Sequence, residues 1–395
     1  MAIIKIPGFQ FAGVACGVKK SKKKDLALIF SERPATAAAL FTTNRVKAAP
    51  VLVGMRHMRR GIIQAVVANS GNANACTGAG GIRDAGVMCR EAGVRLGINP
   101  GLVLPSSTGV IGVPLPMVKI KSGIEKAAAV LSAGSFSQAA EAILTTDRFV
   151  KTASTSFRVN GRRVVLAGMV KGAGMIAPKM ATMLAYILTN AAVEAGTLRA
   201  VLKLAAEETF HCVTVDGDMS TNDTVLFLAN GVAGNAPIRR GSRAERGLAE
   251  AAREVMKKLA IELVEDGEGA TKVVEIFVVG ARSAAEAKKV AFTVADSKLV
   301  KTAFFGSDPN FGRIMAAVGY AGVPIRPGRI DVSFNGVTVV KSGVGVPSRE
   351  RAAARILKRP SFRLKIHLHQ GRASASVWTS DLSYEYVRIN SAYRT

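Results

Sequence analysis

Apolar positions in the first two thirds of the chain come as short runs or alternations broken by glycine, proline and hydroxyl residues, and in places at three-to-four-residue spacing. Period-two runs predict a pair of strands within 9–31, the second with its apolar centre at 26–30, and further strands at 63–67, 102–104, 163–170 and 183–189. Helical spacing predicts helices over 84–96, in two pieces over 123–144, over 197–209 and over 244–263. After a strand from about 272 to 279 come helical spacing over 284–304, short strands, a helix over 348–358 and closing strands. Mixed elements in this order mean an α/β chain.

At 395 residues and 49% hydrophobic content the chain can bury a large core, and its length points to two domains, 1–281 and a smaller α/β unit over 282–395. No apolar run reaches the ~18 residues that a membrane span needs, so a soluble protein is expected. The first residues have no basic segment leading into an apolar run, and Pro7 and Gly8 interrupt them, so no signal peptide is expected and the cytoplasm is the expected compartment. Cys16, Cys76, Cys89 and Cys212 show no C-x-x-C spacing, which suits buried free thiols and gives neither a disulfide framework nor a zinc site.

A net charge of +26 raises the question of a nucleic-acid partner, and the densest run is Lys19-Lys20-Ser21-Lys22-Lys23-Lys24. No aromatic residues interleave with it, and aromatics make up only 6% of the chain, so it reads as a solvated loop between two strands. A basic surface can still steer acidic metabolites.

The stretch from Lys171 to Leu184 carries two glycines, a proline, two lysines and one hydroxyl, Thr182. A dinucleotide loop fits poorly, because Pro178 and the following apolar run leave no room for the helix that such a loop opens. A tight turn with Thr182 as an ordinary β-branched strand residue is the bland alternative. The third reading is that the Ala181–Thr182 peptide is cut by the protein itself. Thr182 would then supply both a hydroxyl nucleophile and, in its α-amine with an ordinary pKa of about 7.7 to 8, the base that takes the hydroxyl proton.

This segment resembles that of the ornithine acetyltransferase, or glutamate N-acetyltransferase, family, the arginine-biosynthesis bifunctional proteins. Members carry Lys-Gly-x-Gly-Met-Ile-x-Pro-x-Met-Ala-Thr-Met-Leu and cleave themselves between its Ala and Thr. Other phrases match in order: Pro34 to Pro50, the asparagine-rich 69–78, Ser107-Thr108-Gly109, Thr145-Thr146-Asp147, the acid- and hydroxyl-rich 211–224, Gly267-Glu268-Gly269, Asp308 to Arg313 and the closing 381–395. The resemblance therefore spans about residues 8–395.

It implies a four-layer αββα sandwich with a smaller C-terminal α/β domain, cut into chains 1–181 and 182–395 that stay associated, as an α2β2 assembly. It implies ping-pong acetyl transfer from N2-acetylornithine to glutamate through Thr182, with Thr108 and Gly109 holding the oxyanion. Lys171, Thr145, Glu268, Asn390 and Thr395 would bind the amino-acid substrates, and a cationic amine would suit Glu268. Whether Thr145 or Thr146 makes the contact stays open, and Arg148 stands where a smaller or polar residue is expected. No cofactor or metal is implied; bifunctional members also use acetyl-CoA as co-substrate, without an obvious motif. His367 and His369 share one face of an expected strand, but two ligands do not complete a metal site. The alternatives are a self-cleaving aminopeptidase that passes the acyl group to water, and a non-enzymatic polyanion binder that stays uncut.

Overall fold

The basic stretch is flanked by two strands, β1 (Phe9–Val14) and β2 (Leu26–Phe41), and β2 is 16 residues long, far beyond the expected apolar centre. The computed structural model describes residues 4–177 and 183–392. Elements are numbered in chain order: α1 (Ala49–His57), β3 (Ile62–Asn72), α2 (Gly78–Leu96), β4 (Val103–Val110), α3 (Met117–Ala129), α4 (Phe136–Ala142), β5 (Lys151–Val159), β6 (Arg162–Lys171), β7 (Leu184–Thr189), α5 (Ala195–Glu208), β8 (Val213–Thr214), β9 (Thr224–Ala229) and α6 (Arg243–Glu265).

β2 is bent. Its register with β3 shifts between Phe30 and Ala35, and Pro34, which has no N–H for the ladder, falls in that irregularity. The first half of β2 pairs with β1 and β3, and the second half with β9. One strand thus enters two sheet layers, and the sheet order β4-β3-β2-β9-β7-β6-β5 folds back on itself.

Side-chain alternation sorts these layers. Leu26 and Leu28 of β2, with Ala65 and Val67 of β3, face a core completed by α2 and α3. Their neighbours Ala27, Ile29, Val66 and Ala68 face the opposite way, into an interior shared with Met169, Leu184, Tyr186, Leu188, Leu226 and Leu228 of the second layer. The alternate residues of that layer, Leu166, Ala185, Ile187, Val225 and Phe227, pack under α5 and α6. Helices, sheet, sheet, helices: this is the αββα sandwich. Each fully buried Leu, Ile or Phe in the three cores is worth about 1.5–3 kcal/mol of transfer free energy.

A second sheet follows, built from β10 (Val273–Ala281), β11 (Asp331–Phe334), β12 (Val337–Lys341), β13 (Val344–Gly345), β14 (Ser361–His367) and β15 (Ala373–Ser380), with β8 at its edge. Helices α7 (Ala284–Ala295), α8 (Lys298–Phe305), α9 (Phe311–Gly319) and α10 (Glu350–Leu357) share its core. β10 lies on the N-terminal side of the division expected at 281/282, yet it is the strand flanked by β14 and β15 in this second sheet. β8 likewise crosses over, pairing Val213 with Trp378.

Two helix boundaries differ from the expectation. α2 begins at Gly78, ahead of 84, because Asn74 and Thr77 pack onto Gly81, where a Cβ would lie 1.9 Å from Thr77 Oγ1. The spacing over 284–304 resolves into α7 and α8, since the Ser297 hydroxyl accepts from the Val300 amide and starts a new helix. The closing phrase forms α11 (Tyr384–Ala392). No helix among the described residues is long and apolar enough to cross a membrane.

Candidate active site

β4 runs parallel to β3, and its pairing sets Gly109 opposite Gly71. Gly109 has φ +129°, and a Cβ there would lie 2.4 Å from the Gly71 carbonyl carbon and 2.6 Å from the Asn72 nitrogen. Only glycine fits such a backbone-to-backbone approach. Beside it the buried Thr108 hydroxyl accepts from the Lys171 ammonium at 3.3 Å. Lys171 ends β6, and burial pulls its ammonium below the ordinary value although Asp147 opposes the shift.

Thr108, Gly109, Thr145, Lys171, Glu268 and Asn390 all line one cavity of about 330 Å³, within the size range of small-molecule sites. Six positions spread over the whole chain therefore meet at one place. Thr146 lines it as well, so both threonines face the cavity. Thr182, Ala181 and Thr395 lie outside the described residues. Arg148 does not line the cavity: its guanidinium turns onto Asp266 at 3.1 Å and the Glu265 carbonyl at 2.6 Å, and its side chain is half exposed.

The chain on both sides of residues 178–182 is held by one segment, 214–224. On the N-terminal side, the Met175 and Ile176 amides donate to the two oxygens of Asp216 at 2.7 and 2.8 Å, and the Ile176 carbonyl accepts from the Val215 amide at 2.9 Å. On the C-terminal side, the Met183 amide donates to Asp223 Oδ1 at 3.1 Å, and the Met183 carbonyl accepts from the Thr224 amide at 3.0 Å. Asn222 ties this segment to the oxyanion-candidate strand by donating to the Ala73 and Ser107 carbonyls at 2.7 and 2.8 Å. The sequence marks 211–224 as support for the site, and the geometry assigns Asp216, Asn222 and Asp223 their separate contacts.

Asp147 is a hub that sequence reasoning did not single out. It accepts from the Thr145 amide at 2.8 Å, the Gly172 amide at 2.7 Å and the Lys151 ammonium at 2.7 Å. Burial alone would raise its carboxyl; the Lys171 and Lys151 ammoniums and the hydrogen bonds it accepts outweigh that and hold it well below the usual carboxylate range. Lys151 also pairs with buried Asp266. The signal was present in the Thr-Thr-Asp phrase, but the acid at its end reads locally as a helix-terminal residue.

Glu268 enters from the turn before β10, its amide donating to the Ala173 carbonyl at 2.8 Å. Asn390 of α11 donates to Glu268 Oε2 at 2.9 Å, and Tyr386 of the same helix donates its hydroxyl to Asp216 at 3.3 Å. Ser383 donates to the Gly269 carbonyl at 2.6 Å, so the last helix is tied to the cavity wall at its start and along its length. Among the described residues, the charged ones lining the cavity are Lys171, Asp216, Asp218 and Glu268, three acids against one base. In a chain of net charge +26 this described lining is locally acidic, which favours a ligand carrying amino groups.

Two other features bear on the sequence reading, and the first is the loop between β1 and β2, exposed at Lys20, Lys22 and Lys23 as expected. The basic stretch 19–24 is a pinned loop: Asp25 accepts from the Cys16 and Lys19 amides at 2.6 and 2.9 Å, and Lys19 Nζ donates to the Lys24 carbonyl at 2.8 Å. Lys19 Cγ lies 3.0 Å from where a Cβ on Gly71 would sit, so the loop packs against the same glycine that packs against Gly109. His367 and His369 stack at 3.5 Å between ring centroids, and His369 Nε2 meets Asp331 at 2.9 Å. No cluster of three or more metal-ligating side chains occurs among the described residues.

The model of the ArgJ family matches residues 10–395. The arginine biosynthesis bifunctional protein ArgJ of Symbiobacterium thermophilum is 49% identical over 390 residues, covering 98% of this chain and 97% of that one. Its namesake in Geobacter sulfurreducens is 48% identical over 394 residues, covering 99% of this chain and 100% of that one. A solved chain of the arginine biosynthesis bifunctional protein from Bacillus halodurans superposes with a TM-score of 0.51 at 36% identity, covering 53% of this chain and 98% of its own length.

Proposed function

The chain belongs to the ArgJ family, and on that premise we propose that it transfers the acetyl group of N2-acetyl-L-ornithine to L-glutamate in arginine biosynthesis, through an acetyl-Thr182 intermediate. The observation that carries the reading is the meeting of Thr108, Gly109, Lys171, Glu268 and Asn390 around one cavity, beside a chain segment whose two flanks are held by a single loop.

In this mechanism the chain cuts itself between Ala181 and Thr182, and the free α-amine of Thr182 takes the hydroxyl proton as the oxygen attacks the acetyl carbonyl. The negative charge that develops on the carbonyl oxygen is met by the Thr108 hydroxyl and the Gly109 backbone. Collapse expels the α-nitrogen of ornithine, which takes the proton back from the Thr182 amine and leaves as the amine. Glutamate then attacks acetyl-Thr182 by the same steps in reverse. Glu268, supported by Asn390, pairs with the side-chain ammonium of ornithine, and Lys171 and Thr145 take substrate carboxylates or carbonyls. Thr395 belongs to the same substrate-binding set, the two cut chains stay together in an α2β2 assembly, and the enzyme works in the cytoplasm.

Acetyl-CoA is a second donor in this reading. What supports it is the pinned basic loop against Gly71: Lys20, Lys22 and Lys23 are exposed and have no acidic partner among the described residues, so they are free to meet phosphates.

The test is intact-mass spectrometry of wild type and Thr182→Ala, followed by assay with and without glutamate. Two fragments meeting at 181/182 only in the wild type, and acetylornithine consumed only when glutamate is supplied, are the expected results. An uncut, folded wild type overturns the mechanism, and consumption without glutamate assigns the acyl group to water, as in an aminopeptidase.

A further inference from the structure

The antiparallel pairing of β10 with β15 ends at Val273 opposite Ser380, and buried Asp381 is the next residue along the chain. Its carboxylate takes over where the ladder stops. The Thr271 and Lys272 amides, ahead of Val273, donate to Oδ1 at 2.8 and 3.0 Å, and the Thr271 hydroxyl donates to Oδ2. Among the described residues, the hydrogen bonds of this carboxylate all go to that pair. Bonds to a charged acceptor are the strong ones, and losing the acceptor leaves buried donors unpaired, so Asp381 fixes the backbone at 271–272 firmly.

Thr271 directly follows the turn that carries Glu268. Residues 267–270 form this turn, closed by the Ala270 amide on the Gly267 carbonyl at 2.8 Å, with Glu268 and Gly269 at its corners. A Cβ on Gly269 would lie 2.4 Å from the Tyr386 nitrogen, so the turn lies against the first residues of α11. Two residues beyond Asp381, Ser383 grips the Gly269 carbonyl, and the chain then enters the helix that brings Asn390 to Glu268. The other side is fixed as well. The buried Lys272 ammonium donates to the Phe305 carbonyl at 3.1 Å and to the Ser307 hydroxyl at 2.9 Å, at the end of α8. Asp381 thus stands at the join between the Glu268 turn and the Asn390 helix.

We propose, resting on the reading of Glu268 as the partner of ornithine's side-chain ammonium, that Asp381 is a positioning residue for that contact. It sets the exit of the Glu268 turn and the entrance of α11 against each other, so the Glu268 carboxylate and its Asn390 support stand where the ammonium arrives. A binding group must be held within about 0.5 Å of its productive place, and a polar clamp on the adjoining backbone meets that need.

The readout is the ratio of kcat/KM for N2-acetylornithine to that for N2-acetylnorvaline, which lacks only the side-chain amine. A merely structural loss lowers the amount of active enzyme, scales both rates together and leaves the ratio alone. Asp381→Ala is expected to lower the ratio by about tenfold, chiefly through KM for acetylornithine. Glu268→Gln gives the reference loss, and adding Asp381→Ala to it is expected to lower the ratio no further, since residues acting through one contact are not additive. A folded Asp381→Ala with the wild-type ratio overturns the proposal, and so does an equal further fall in the Glu268→Gln background. Where Asp381→Ala does not fold, Thr271→Val removes only the hydroxyl contact and is expected to lower the ratio about threefold; an unchanged ratio there overturns the proposal too. A ratio that Glu268→Gln itself leaves unchanged sinks the underlying reading of Glu268 instead, so the two failures are distinguishable.

Discussion

A Cβ placed on Gly174 would lie 2.4 Å from Oε2 of Glu268, the same oxygen that accepts from Asn390 at 2.9 Å. The glycine leaves the space in which the Glu268 carboxylate rests against the last helix. Gly174→Ala is therefore expected to swing the flexible end of Glu268 aside and break its contact with Asn390. Because a charge-assisted hydrogen bond is worth about 1.5–3 kcal/mol, KM for acetylornithine should rise about tenfold or more. The clash is with a side-chain tip, so stability should change by less than about 1 kcal/mol. Steady-state kinetics beside a thermal melt checks both; an unchanged KM in a folded variant would show that Glu268 does not meet the substrate.

The Asp147–Lys151–Asp266 cluster sits behind the cavity with every one of its three side chains fully buried. Lys151→Met strands two carboxylates without their shared cation. A loss of about 3–5 kcal/mol is expected in urea denaturation. A loss under 1 kcal/mol would mean that water or repacking takes over the ion's part.

Acid should act through the same cluster. Because its partners hold Asp147 below the usual carboxylate range, its contribution is fully present above the unfolded carboxyl pKa of about 3.9 and is lost as pH falls through that value toward the folded one. The wild-type melting temperature should drop between about pH 5 and pH 3, and Asp147→Asn should show a shallower slope over that window. Parallel slopes would exclude Asp147 as a source of acid lability.

Charge reversal on the basic loop separates the two donors. The combined Lys20→Glu, Lys22→Glu and Lys23→Glu variant is expected to raise KM for acetyl-CoA by roughly tenfold or more, with stronger salt sensitivity in the wild type. The rate with acetylornithine is the internal control and should stay within about twofold. An equal effect on both donors, or no acetyl transfer from CoA by the wild type, would remove the loop from that role.

Much of the site was legible because its parts are local backbone and chemical requirements. Thr108-Gly109 needs a glycine where two strands touch, Glu268 needs glycines on both sides to come close to a ligand, and Lys171 to Leu184 holds a lone hydroxyl after a strand. Such requirements are written in neighbouring residues, so the sequence alone determines the kind of chemistry, the α/β class and most element positions. Asp147, Asp216 and Asp223 were another matter, since along the chain each is one more acid in a polar phrase.

What only the tertiary structure decided is which groups meet and which lose their water. The bend in β2 puts one strand into two layers, β10 pairs with strands nearly a hundred residues downstream, and α11 returns to the cavity from the far end of the chain. Whether a carboxyl is shifted down beside two lysines, as Asp147 is, or up, as Asp223 is, depends on burial and on charges brought in from distant segments. Desolvation and Coulomb energy follow distance in space, whereas hydrophobic periodicity and turn chemistry follow distance along the chain.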